Sequence, residues 1–148
     1  MIRKTNDNSW IVRKSCIENI VAIANISMGP IRENALTNIM LKLLKDNNKW
    51  VKIAAFKCLG PFISTLSGMN VSEKLFENYC QMTSTALNAL ASDNEIMSAC
   101  SFYFPAVLAA FGPEKWPAMS KMFYLMMKKP PEAIKNFIRN IFLIKYAG

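Results

Sequence analysis

The 148-residue sequence contains no histidine, which removes the commonest general base and the usual partner of a nucleophilic serine or cysteine. It also lacks a glycine-rich phosphate loop and a metal-ligand cluster. An enzyme is not expected, and no cofactor or metal is implied. The four cysteines, Cys16, Cys58, Cys80 and Cys100, are far apart with no C-x-x-C pair, so they read as reduced core thiols of a cytoplasmic or nuclear protein. The longest nearly apolar stretch, Phe102 to Phe111, is about half of what a bilayer-spanning helix needs and contains Pro105. No secretory signal is visible, since Arg3, Lys4, Asn6 and Asp7 precede the first apolar run and no small-residue cleavage site follows. Acid is scarce as well: 18 Lys and Arg stand against 10 Asp and Glu, for a formal charge of +8. Such a surplus admits an acidic partner or a polyanion, although a solvated basic face explains it more simply.

What is present is a core and a rhythm. Residues are 52% hydrophobic with only five glycines, enough apolar surface for a packed domain. Breaks of two kinds alternate along the chain. Gly29-Pro30, Gly68 and Gly112-Pro113 suit helix ends followed by helix starts. Asp7-Asn8-Ser9, Asp46-Asn47-Asn48 and Ser92-Asp93-Asn94 carry side chains that accept hydrogen bonds from free N–H groups at a helix start, and Lys129-Pro130-Pro131 makes a fourth break. Seven helices follow, near 9–27, 30–45, 49–66, 71–91, 94–111, 113–128 and 131–146. In the third, Val51, Ala54, Ala55, Cys58, Leu59, Phe62 and Leu66 recur at helical spacing, as do Leu36, Ile39, Met40, Leu43 and Leu44 in the second. Sustained period-two alternation is missing, so no sheet is expected.

The chain also repeats itself. Asp7-Asn-Ser-Trp10-Ile-Val12-Arg13 recurs as Asp46-Asn-Asn-Lys-Trp50-Val51-Lys52, with Asp7 and Asp46, and Val12 and Val51, both 39 residues apart. Weaker copies start at Ile96 and Ile134. A cap or acid, an aliphatic followed by a base, then small residues one turn later, at a period near 40, is the signature of a HEAT array. The fold class is therefore all-α, an α-α superhelix of about three and a half helical hairpins. Residues 1–148 divide into a half repeat, 1–28, and repeats 29–67, 68–112 and 113–148, and are expected to be a stretch of a longer solenoid. Asp7, Arg13, Asp46 and Lys52 are the repeat-stabilising set, each base reaching an acid in a turn. Ala55 should sit where helices nearly touch. Pro61 and Pro105 should bend helices around the column, and Met119, Met122, Met126 and Met127 should fill core. Open apolar faces are expected at Ile17, Ile20 and Ile23 at one end and at Phe137, Ile141 and Ile144 at the other.

The run from Asp46 to Ser64, and the run Ser98-Ala-Cys-Ser-Phe-Tyr-Phe-Pro-Ala-Val107 with Trp116 following, resemble the HEAT-repeat regulatory subunits of protein phosphatase 4, the first-described type. The turn Asp7, Ser9, Trp10, Val12, Arg13 is similar to one in the related scaffold subunit of protein phosphatase 2A. That resemblance implies a non-catalytic scaffold that binds a serine/threonine phosphatase catalytic subunit along a ridge formed by the turns inside each hairpin. A further regulatory subunit or substrate proteins would be additional partners. By position it points to Trp10, Lys49 and Trp50, and then to Asn94, Glu95, Lys128 and Lys129, with Pro130-Pro131 departing from the pattern in the fourth turn. Alternatives stay open: a general HEAT adaptor or transport-receptor fragment, which the same repeat would serve, and a basic solenoid that binds nucleic acid.

Overall fold

A computed structural model describes residues 3–91, 94–128 and 135. The expected last helix, 131–146, the end face of Phe137, Ile141 and Ile144, and Lys129 lie outside the described residues. The first pair of helical segments is α1 (Trp10–Glu18) and α2 (Ile20–Ile26); α3 (Gly29–Ile31) and α4 (Thr37–Leu43) follow, joined by a π-helical stretch over Arg32–Leu36. Next come α5 (Lys49–Ser64), α6 (Glu73–Cys80), α7 (Thr85–Asn88), α8 (Glu95–Phe111) and α9 (Trp116–Met127). No strand occurs among the described residues, and the architecture is the expected all-α superhelix of stacked hairpins.

The repeated turns form by the same chemistry twice. Asp7 Oδ1 accepts from the backbone N–H of Ser9 at 2.8 Å, and Asp46 Oδ1 accepts from that of Asn48 at 2.9 Å. In each case a carboxylate closes a tight turn two residues ahead of a helix start. Asn48 then caps α5, its Oδ1 accepting from Trp50 N–H at 2.9 Å and Val51 N–H at 3.3 Å. Ser9 and Asn94 occupy the corresponding positions of α1 and α8 without a side-chain cap bond.

Two layers result. One contains α1, α5 and α8; the other contains α4, α6 and α9. The first three run in one direction, since Arg13 near the start of α1 meets Asp46 just ahead of α5, while Lys57 and Gly60 of α5 meet Glu95 and Tyr103 of α8 in that order. Helix α5 is the central member and buries almost its whole circumference: Val51, Ala55, Leu59, Phe62 and Ile63 are fully buried. A helix apolar on nearly every side belongs inside rather than on a surface. Tyr79 ties the layers together from α6, its buried hydroxyl donating to the Cys100 carbonyl at 2.6 Å.

Several expectations are corrected. The helix over 9–27 breaks at Asn19, whose side chain donates back to Ser15 O at 2.7 Å. The helix over 71–91 is two pieces, because Ser84 turns extended (ψ 142°) and its hydroxyl accepts from Leu87 N–H to start α7. Gly29 opens a helix with ordinary backbone angles, and only Gly68 and Gly112 adopt positive φ among the described glycines. Ile17 and Ile20 are fully buried against the core. Ile23 is partly open as expected and, with Ile11, Val12, Ser15 and Asn19, lines an open groove of ≈ 450 Å³. Met119, Met122 and Met126 are core, whereas Met127 is exposed. Pro61 and Pro105 lie inside α5 and α8, in one layer.

Candidate partner-binding ridge

The turns preceding α1 and α5 are held side by side. Arg13 Nε and Nη2 reach the two carboxylate oxygens of Asp46 at 2.8 and 3.0 Å, and Nη1 reaches the Asp7 carbonyl at 2.8 Å. This fork matches a carboxylate geometrically and locks the first hairpin turn to the second. The hydrogen bond from Arg13 holds the Asp46 carboxyl below its ordinary value, and Asp46 raises Arg13 in return. Lys52 stands where the next repeat would place its base, yet it has no carboxylate partner among the described residues. Ser84, Ala86 and Leu87 line the pocket beside it.

Along this edge Trp10 is 38% and Trp50 48% exposed. Each indole opens a helix of the same layer, one repeat apart. Lys49 is exposed and its ammonium lies 4.6 Å from the centroid of the Trp50 ring, a cation–π arrangement that orients the ring. Trp50 also walls a cleft of ≈ 360 Å³ whose floor is Ile53, Ala54 and Cys58. Its flanks are two ion pairs, Lys14 with Glu18 at 2.6 Å and Lys57 with Glu95 at 3.8 Å. Burial raises the Cys58 thiol, so it stays protonated and unreactive near neutrality.

Glu95 thus joins Trp50 on one cleft, next to Asn94, which adopts a left-handed conformation at φ 55°. Lys128 is exposed at the end of α9. Lys57 was not singled out from the sequence; it lies seven residues beyond Trp50, on the same helical face, which is the signal that could have found it. Among the described residues no group of Cys, Asp and Glu side chains could hold a metal, and no helix is long and apolar enough to cross a membrane. The arrangement offers aromatic and charged contact surface.

Two layers of helices stacked in register make the described residues an α-α superhelix of the solenoid class, and the HEAT repeat family matches residues 31–66. This is the hairpin of α3, α4 and α5. The chain is similar to serine/threonine-protein phosphatase 4 regulatory subunit 1. The mouse and rat proteins are 38% identical over 73 residues, and the human protein 39% over 72. The matched segment is 49% of this chain and 8% of each relative's length. No solved structure matches the chain.

Proposed function

We propose that this chain acts as a non-catalytic, scaffold-type stretch of a regulatory subunit, and that its ridge of hairpin turns binds the catalytic subunit of a serine/threonine phosphatase similar to protein phosphatase 4. The observation that carries the proposal is the identity of 38% over 73 residues with subunits named as regulators of that phosphatase. The geometry supports it: two indoles, half exposed, stand one repeat apart on a single edge that the Arg13 fork keeps rigid. Rigid, partly exposed aromatic side chains are the usual energetic centres of interfaces. The residues assigned to contact are Trp10, Lys49 and Trp50, with Asn94 and Glu95 continuing the edge. A titration of the purified 148-residue chain with purified phosphatase 4 catalytic subunit, read by surface plasmon resonance, tests it. Saturable binding is expected. Absence of binding by a folded chain would overturn the proposal.

A further inference from the structure

The two repeat-related bases, Arg13 and Lys52, have different surroundings among the described residues. Between turns one and two, the repeat's base is consumed by the fork from Arg13 to Asp46. Beside the second turn, between the α4–α5 corner and the stretch from α6 to α7, lies a pocket of ≈ 360 Å³ lined by the equivalent base, Lys52, together with Lys45. No carboxylate lines this pocket among the described residues, and neither ammonium has a hydrogen-bond or ion-pair partner there. Two neutral groups add donors. Gln81 is exposed with an uncommitted side-chain amide, and the Ser84 hydroxyl, which accepts from Leu87 N–H at 3.2 Å, keeps its hydrogen to give. Beneath them the floor is apolar, made by Leu44, Phe56 and Leu87, all buried, with Leu90 at 40% exposure on the rim.

We propose that this pocket binds an acidic segment of a partner protein in which a glutamate or aspartate neighbours a leucine or phenylalanine. Two ammonium groups with no carboxylate partner among the described residues, and two neutral donors, complement a carboxylate, and charge-assisted hydrogen bonds of this sort are stronger than neutral ones. The adjoining apolar floor takes the neighbouring side chain, which a bare polyanion would leave unfilled. The location rests on the reading of the turn edge as the working surface, but its test involves no phosphatase, so the two proposals can fail separately.

The test is fluorescence anisotropy of the full chain with a labelled peptide, Ser-Glu-Leu-Glu-Leu-Glu-Ser, at low salt. Lys45→Ala and Lys52→Ala should each weaken binding about tenfold, and the double variant about a hundredfold. Lys52→Arg should retain most of the affinity, and Lys121→Ala, which removes equal charge from α9 outside the pocket, should change it by about twofold at most. A circular-dichroism melt of each variant shows that the fold is retained. Equal binding of the glutamine version of the peptide, an effect of Lys121→Ala as large as that of Lys52→Ala, or no binding by the folded chain would each overturn the proposal. So would tighter binding of a single-stranded RNA oligomer through the same two lysines.

Discussion

Replacing Gly60 by alanine sets two effects of opposite sign against each other in one helix. Alanine is favoured over glycine inside a helix by about 1 kcal/mol, so an exposed site would gain stability. At position 60 the added Cβ would lie 2.6 Å from Tyr103 Cβ and 3.1 Å from its Cγ. Tyr103 Cβ is fixed to the backbone of α8 and cannot swing away as the end of a flexible side chain would. Relief requires α5 and α8 to separate by about 1 Å, which loosens close-packed contacts along the pair. Overpacking costs about 1–3 kcal/mol, and a contact as short as 2.6 Å to a Cβ falls in the upper part of that range, so after the helix-propensity gain the net loss is about 1–2 kcal/mol. For a chain of this length that lowers the melting temperature by about 3–6 °C. The assay is a thermal melt followed by circular dichroism, repeated with Tyr103→Gly in both backgrounds. The added methyl should cost less once the opposing Cβ is gone. A Gly60→Ala variant that melts at or above the parent would show that α5 and α8 do not approach as closely as described.

Two further perturbations probe the column. Asp46→Asn removes the charge that Arg13 grips at a site only 9% exposed, and should cost about 2 kcal/mol at neutral pH. Because Asp46 is held below its ordinary value of 3.8, its contribution is complete above that value and is lost as pH falls through the depressed one. Melting temperature against pH between about 5 and 2 should therefore be flatter in the variant, and an unchanged slope would remove Asp46 from the account. Ala55→Asp places an unpaired charge at a fully buried position of α5 and should cost about 3–5 kcal/mol, read in urea unfolding. An undiminished unfolding midpoint would show that Ala55 does not face the helix contact.

Periodicity made the helices readable, because Val51, Ala55, Leu59 and Phe62 mark one face whatever surrounds them. The turns were readable for a chemical reason: an Asp two residues before a capping position can close only a few geometries. What escaped was decided across space. Gly60 is an ordinary interior glycine in the sequence, and only Tyr103, 43 positions later, makes its missing Cβ necessary. Lys52 repeats Arg13 in position, yet its surroundings are set across space: Ser84 interrupts the helix beside it, and Ala86 and Leu87 line the pocket there. On the first helical pair Ile23 does line the open groove, but Ile17 and Ile20 face the core and Ile11 and Val12 take the open side in their place. A one-dimensional pattern does not say which side the neighbouring helix takes.

The most direct test of the working surface is the affinity of the Trp10→Ala, Trp50→Ala double variant for the phosphatase 4 catalytic subunit, with a melt of the same protein alongside. Truncating an anchor at an interface costs about 2 kcal/mol or more, roughly a thirtyfold loss of affinity. The account predicts at least that loss with the helical fold retained, since both indoles stand at helix starts and are 38% and 48% exposed. Unchanged affinity in a folded variant, or a loss that only tracks unfolding, would contradict it.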